Sequence, residues 1–342
     1  MNIYRCPPEI CHIIFCLACT DGGYTGRSLS VVSKYIRTIS RPTMLQSMSI
    51  IGYNQLLAFL NILEQEQEQI QRQPNDTASQ RHVKYLFISA HSRNTAVDPK
   101  ALTSEFSHKE RAYEAFERIL RLISPTIRIL HVFFIFYRTF LLLPVGLPVL
   151  QELSLHGPMD SLSTDGGVSI FPALRHLHIT SPFHPHYLTG KLFLIAPELK
   201  HFRLSAPDHN EEFLVELQTI LGELSVGEGG GVNAPLNGHA STSDSSDRVC
   251  VFIHCPGRPQ DNWMDMLDVY HRQMITLNRL AEEYKVLVRL LPPLRYSMFR
   301  TVSIHDAEVA WIESVAGRSW WAPDYVVSND IYVVEADILG NE

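Results

Sequence analysis

Four cysteines stand in the first nineteen residues, Cys6, Cys11, Cys16 and Cys19, with His12 among them. Thiolates and imidazoles are the usual ligands of structural zinc. Here the Cys16-x-x-Cys19 pair has no second pair at matching spacing, and His12 with Cys16 marks a single helical face. Free cysteine packs as a small hydrophobe, so these thiols are expected in a reduced core. Cys250, His254 and Cys255 make no better metal set. No G-x-S-x-G elbow, G-x-x-x-x-G-K-[ST] loop or H-E-x-x-H helix is present, and no G-x-G-x-x-G follows a strand. Gly227–Gly231 sits in a polar stretch without lysine. The sequence therefore predicts no catalytic set, no metal and no cofactor.

Histidine is the more informative residue, with 16 copies, and several lie in elements that repeat. Pro148-Val-Leu-Gln-Glu-Leu-Ser-Leu155, Pro172-Ala-Leu-Arg-His-Leu-His-Ile179 and Pro197-Glu-Leu-Lys-His-Phe-Arg-Leu204 follow one template. Apolar residues stand two, five and seven places after a proline, and Pro158, Pro182 or Pro207 closes each copy. Pro125–Val132 fits the first half, Val83/Leu86/Ile88 an earlier copy, and Val251/Ile253/Pro256 a later one. Positions five and seven share one face of a strand, and proline marks strand entry and exit. One short strand per 23–25 residues cannot bury its own apolar face, but stacked neighbours can, as a parallel sheet along a curved solenoid.

This pattern resembles the leucine-rich repeat, L-x-x-L-x-L, at Leu150/Leu153/Leu155, Leu174/Leu177/Ile179 and Leu199/Phe202/Leu204. Proline replaces the family's usual Asn or Cys, so no Asn ladder is expected and the horseshoe should be irregular. Places four and six then point away from the core. Tyr85, Phe87, His131, His176, His178, His201 and Arg203 occupy them, with His176 beside His201 and His178 beside Arg203 across strands. Solvated surface is the default for such residues. A surface reading an acidic or phosphorylated peptide is the functional alternative, stronger once the imidazoles are protonated.

Ahead of the repeats, Ile10, Ile13, Ile14 and Leu17 share a helical face, opened by Pro7-Pro8 and stopped by Thr20–Gly23. Leu29, Val32, Ile36 and Ile39 form a second stripe ended by Arg41-Pro42. Fifty residues hold too small a core for such faces, so one is expected to meet a partner or to cap the solenoid. C-P-P-E-I-C-H-I-I-F followed by S-L-S-V-V-S-K-Y-I-R resembles the F-box, most like the F-box-like proteins that fungi encode in large numbers. Cys6 stands where leucine is usual. That resemblance implies docking to the Skp-type adaptor of a cullin ubiquitin ligase through Pro7, Ile10, Ile14, Leu29, Val32 and Tyr35. The repeats would then bind an unidentified target protein, and the chain itself would perform no catalysis. A repeat scaffold with no ligase role is the alternative.

The chain of 342 residues is long enough for more than one domain, and 45% apolar residues suit a packed core. Its net charge of −7 argues against a nucleic-acid-coating surface. Within His131–Leu150, the most apolar stretch, Arg138 and two prolines disfavour a membrane span. Sparse cysteines point to a cytoplasmic or nuclear protein. The expected architecture is α/β. An F-box-like helical module spans 1–50 and an irregular leucine-rich-repeat solenoid of parallel strands with mixed helix and loop backs spans 51–256, containing a disordered loop at 225–248. Further repeats or a cap follow at 257–342. Helices are predicted over 105–123, 210–224 and 263–284, and strands within 325–334.

Overall fold

The computed structural model describes residues 6–72, 82–92, 109–133, 145–156, 170–180, 192–205, 211–226, 249–259, 264–293, 303–318 and 321. The closing prolines 158, 182 and 207, residues 227–248 of the loop expected at 225–248 and the strands expected in 325–334 lie outside them, while residues 225 and 226 of that expected loop belong to a helix. Among the described residues, eight parallel strands form one sheet in sequence order. They are β1 (Ser47–Ile51), β2 (Tyr85–Ser89), β3 (Ile129–Phe133), β4 (Glu152–His156), β5 (His176–Thr180), β6 (His201–Ser205), β7 (Cys250–His254) and β8 (Val288–Leu291). Two of these, β1 and β8, extend the sheet beyond the expected copies, and β1 runs across the boundary placed at residue 50.

Each repeat begins with a backbone device that the proline template encodes. The amides of Leu150, Leu174 and Leu199 donate to the carbonyls of Leu147, Phe171 and Ala196, each at 3.2 Å. Pro148, Pro172 and Pro197 therefore occupy the second position of a turn, where a fixed φ is pre-organised. A carbonyl column follows at the strand entrances. Gln46, Lys84, Arg128, Gln151 and Arg175 each accept two successive amides of the next repeat, at 2.7–3.1 Å. Backbone carbonyls thus tie the turns together without an asparagine ladder.

One sheet face carries Leu86/Ile88, Leu130/Val132, Leu153/Leu155, Leu177/Ile179, Phe202/Leu204 and Val251/Ile253, all buried in a single continuous core. Helices supply the other side of that core: α4 (Tyr53–Arg72), α5 (Lys109–Ile123), α6 (Leu192–Ile195), α7 (Glu211–Val226) and α8 (Met264–Glu283). Helix α5 shows how sequence dictates this packing. Ala112, Ala115, Phe116, Ile119, Leu120 and Ile123 recur at helical spacing and are all buried. The predicted helices at 105–123, 210–224 and 263–284 correspond to α5, α7 and α8. Residues 64–72 form the last, largely solvated turns of α4.

Residues 6–40 form α1 (Pro8–Ala18), α2 (Tyr24–Val32) and α3 (Lys34–Ser40). The stripe from Leu29 to Ile39 is not one helix. Ser33 is extended (φ −163°, ψ 164°), and its hydroxyl accepts from the Ile36 amide, capping α3. The break rotates Leu29 and Val32 relative to Ile36 and Ile39. Helix α9 (Ile304–Val315) lies over the other face of the sheet against β2 and β3.

Candidate interaction surfaces

Helices α1–α3 enclose a small core of Cys11, Phe15 and Ile36, with Cys6, Leu29, Tyr35 and Ile39 partly buried around it. The Tyr35 hydroxyl donates to the Cys6 carbonyl at 3.1 Å. This unit is fastened to the first strand. The Gln46 amide group donates to the Cys16 carbonyl at 2.8 Å, and the Ser49 amide to the Gly22 carbonyl at 3.4 Å. Gly22 and Gly23 have positive φ (72° and 94°), which L side chains rarely adopt. Gly26 is required by contact: a Cβ there would lie 2.5 Å from the Met44 carbonyl oxygen.

The opposite side of α1 and α2 is apolar and open. Ile10, Ile13, Ile14, Leu17, Tyr24, Val31 and Val32 are 47–76% exposed, a concentration found nowhere else among the described residues. Of the residues expected to meet an adaptor, Pro7, Ile10, Ile14 and Val32 are on this open side, whereas Leu29 and Tyr35 are half-buried in the inner cluster. Tyr24 and Val31 were not anticipated. They become outward positions because α2 begins at Tyr24 and breaks off at Ser33, a cap signal that the sequence does contain. Arg27 lies 4.8 Å over the Tyr24 ring, a cation–π contact at the edge of this patch.

The nearby thiols do not converge. Cys11 and Cys19 are buried and burial pushes both thiols up, while Cys16 Sγ lies 3.5 Å from His12 Nε2. Among the described residues no group of three cysteine, histidine or acidic side chains is placed to hold a metal ion. A polar groove between α4 and α5, lined by Glu64, Gln67, Glu68, Gln71, Arg118 and Arg121, carries the Arg118–Glu64 ion pair. It lies on the helical side, away from both surfaces.

The second surface is the sheet face that the repeat directs away from the main core. The cross-strand neighbours expected there are present: His176 pairs with His201 and His178 with Arg203. The expectation of a solvated face is overturned over the first four strands, because α9 covers it. Trp311 of α9 is fully buried with Phe87, Phe133, Ile51, Ile304 and Ala307, and its ring centroid lies 6.1 Å from that of Phe87. Polar contacts flank this apolar plug. The Ser49 hydroxyl donates to Glu308 Oε1 at 2.6 Å, and the Ser314 hydroxyl donates to Glu152. Phe87 and His131, expected on a target-binding surface, are therefore 0% and 2% exposed, and Tyr85 is half-buried.

A polar layer starts under the helix at β3 and β4 and continues beyond it along β5 to β7. His131 Nε2 is 3.1 Å from Glu152 Oε1. Burial drives both partners toward neutrality, lowering His131 to about 3 and raising Glu152 to about 8. His178 Nδ1 meets Ser154 Oγ at 2.9 Å, and its Nε2 meets Ser205 Oγ at 2.8 Å and Thr180 Oγ1 at 3.0 Å. Ser154 is fully buried, so its hydroxyl holds an imidazole rather than meeting a substrate. Arg203 Nε donates to His254 Nε2 at 3.1 Å, and His254 Nδ1 donates to the Pro292 carbonyl at 2.7 Å. That pairing fixes a neutral imidazole, and burial followed by the Arg203 charge holds His254 at about 3.

From β5 onward the face is half-open. His176, His178, His201 and Arg203 keep partial exposure, and Arg289 on β8 is exposed. His176 and His201 stack with centroids 5.0 Å apart, their Nδ1 atoms 2.9 Å apart, and Trp321 stacks on His176 at 3.8 Å. Burial is the main cause of the lowered His176 and His201 values, with Lys200 adding repulsion to both. No helix among the described residues is long and apolar enough to cross a membrane. In comparisons with known proteins, no family model, curated protein or solved structure matches this chain.

Proposed function

We propose that this chain is a non-catalytic substrate receptor of a cullin ubiquitin ligase, working in the cytoplasm or nucleus. In this reading α1–α3 are an F-box-like module that docks a Skp-type adaptor. The sequential parallel strands are an irregular leucine-rich-repeat solenoid that holds a target protein. The receptor contributes proximity, raising the effective concentration of the target near the ubiquitin-loaded enzyme.

One observation carries the reading: seven large apolar side chains stand exposed on α1 and α2, four of them on the Ile10–Leu17 face of α1. A cap for the open end of a solenoid needs an apolar inner face and a polar outer one. Contacts of Gln46 and Ser49 with Cys16 and Gly22 supply the capping function. They leave the outer apolar face unexplained unless a partner covers it. A scaffold without a ligase role remains the second reading, and its support is the same fastening of α1–α3 to β1.

The test is a pull-down of the full chain with purified Skp-type adaptor, beside an Ile14→Asp/Val32→Asp variant. Both residues are more than half exposed, so circular dichroism and thermal unfolding should match the wild type. Binding by wild type and loss in the variant supports the ligase reading. Absence of binding by the folded wild-type chain assigns α1–α3 to capping alone and leaves the scaffold.

A further inference from the structure

The strands under α9 are held by the main core without its help. Leu86, Ile88, Leu130, Val132, Leu153 and Leu155 fix β2–β4 from one side of the sheet. On the other side Ser49, Phe87, His131 and Ser154 form one register row across β1–β4, with Ile51 and Phe133 in the next row of that face. Helix α9 turns a single side toward them: Ile304, Ala307, Glu308, Trp311 and Ser314 are buried, while His305, Asp306, Val309 and Ala310 are exposed. The indole fills a socket of Ile51, Phe87 and Phe133. A Cβ added at Gly22 would stand 3.6 Å from Trp311 Cζ3, so the backbone of the α1–α2 loop closes the socket beside β1. Glu308 ties the helix to β1 through Ser49, and Ser314 ties it to β4 through Glu152.

This cover is complete in its apolar part and incomplete in its polar part. Trp311 Nε1, His131 Nδ1 and His156 Nδ1 are buried with no hydrogen-bond partner among the described residues. His131 lies in the row beside Phe87, and the His156 ring stands 5.5 Å from that of Phe133, so all three atoms belong to the covered zone. Such groups give up hydration and receive nothing in return, which makes covering the face less favourable than its apolar area alone would. A helix of 12 residues is also marginal in water by itself, so α9 depends on the face for its own stability. A groove built by other elements and a cover held below full strength make an exchangeable pair.

We propose that the face of β1–β4 is a groove for an amphipathic helix anchored by a tryptophan, occupied in cis by α9, and that a partner protein enters it by presenting a helix of the same chemistry. The pattern such a helix needs is written in α9: a carboxyl three residues before the indole and a hydroxyl three residues after it, as in Glu308, Trp311 and Ser314. Helices that dock in grooves space their anchors at three and four residues, and a tryptophan seated in a desolvated socket is a common centre of binding energy. This groove rests on the expectation, common to the ligase and scaffold readings, that the repeats hold a protein, and it does not depend on adaptor docking.

The test uses a fluorescein-labelled peptide of residues 303–318 with blocked ends. It is titrated by anisotropy into three full-length chains: wild type, Trp311→Ala and Ala307→Asp. Both substitutions weaken the hold of α9 and change no residue of the strands. Hydrogen exchange should show the amides of β2 and β3 still protected in at least one of the two variants. That opened chain should bind the peptide with Kd on the order of 100 µM. Wild type should bind at least about tenfold more weakly, because its tethered helix competes. A peptide carrying Trp311→Ala should lose about tenfold or more in affinity. Absence of binding to the opened chain, equal binding by wild type, undiminished binding by the peptide without the indole, or loss of strand protection in both variants would each overturn the groove. No adaptor is present, so these outcomes are separate from those of the adaptor pull-down.

Discussion

The amino-terminal helices and the covered face of the sheet invert each other. On α1 and α2, Ile13, Leu17, Val31 and Val32 face water, while on the covered strands His131, Glu152, Ser154 and His156 lie in the interior. Apolar groups in water weaken folding little once folded, but they favour any event that covers them. Buried polar groups are stable only while every partner stays in place. The first region is therefore suited to association and the second to holding one arrangement of chain segments that are far apart in sequence. Ser49 and Glu308 are 259 residues apart, and Glu152 and Ser314 are 162 apart.

The largest expected effect is on the covered face. Trp311→Ala removes the side chain that fills the space between Phe87, Phe133 and Ile51. Truncation of a fully buried tryptophan should cost about 3–5 kcal/mol. The loss should be local first: the strand amides facing the main core keep their hydrogen-exchange protection, while those of α9 lose it. A uniform loss of protection would show that the two faces are one cooperative unit and would break the comparison.

The repeat was readable before the structure because its turn is written in three consecutive residues. Pro148, Pro172 and Pro197 each stand two places before a buried leucine, and that spacing alone places β4, β5 and β6 in register. Strands β1 and β8 escaped because their local signals are damaged. Leu45, Met48 and Ile50 have the right spacing, but Pro42 is one place too early. Before β8, the exposed Lys285 takes the place of the first leucine. The covering of the sheet by α9 was not legible for a different reason. Ile304, Ala307, Trp311 and Ser314 announce an amphipathic helix, but no periodicity names the distant face it will meet. Likewise, the inner and outer faces of α2 and α3 depended on one extended residue, Ser33, which turns a continuous stripe into two helices.

A second, smaller effect separates the regions by pH. His131 and His156 are held at about 3 by burial, and His176 by burial first and then by His201. A histidine depressed in the folded state favours folding fully above its unfolded value of about 6.5. That contribution is lost as pH falls from about 6.5 toward about 3. Glu152 has the opposite sign. Its value near 8 exceeds the unfolded carboxyl value, so its contribution is intact at acid pH and declines as pH rises toward about 8. Glu152→Gln keeps an acceptor for Ser314 and removes the ionisation. The variant should lose less stability than wild type between about pH 5 and 8, by about 1–3 kcal/mol, while both lose stability below about pH 6. Parallel curves for the two chains on the alkaline side would mean that Glu152 stays ionised in the interior and is compensated there.

The smallest effect is the most discriminating for the amino-terminal helices. Leu17 and Val31 are 75% and 76% exposed, so Leu17→Ser and Val31→Ser remove little buried area and leave the inner cluster of Cys11, Phe15 and Ile36 intact. Serine has lower helix propensity than leucine, and surface changes of this kind lie within about 0.5 kcal/mol. The midpoint of thermal unfolding should therefore shift by no more than about 2 °C, and the tendency of the chain to self-associate should fall with the apolar area. A drop of several degrees would require another part of the chain to cover these side chains. The outward apolar face would then be an ordinary internal contact, and the inversion between the two regions would disappear. Unchanged stability together with reduced association keeps the face as a surface whose partner lies outside the chain, which is the property an adaptor-docking module needs.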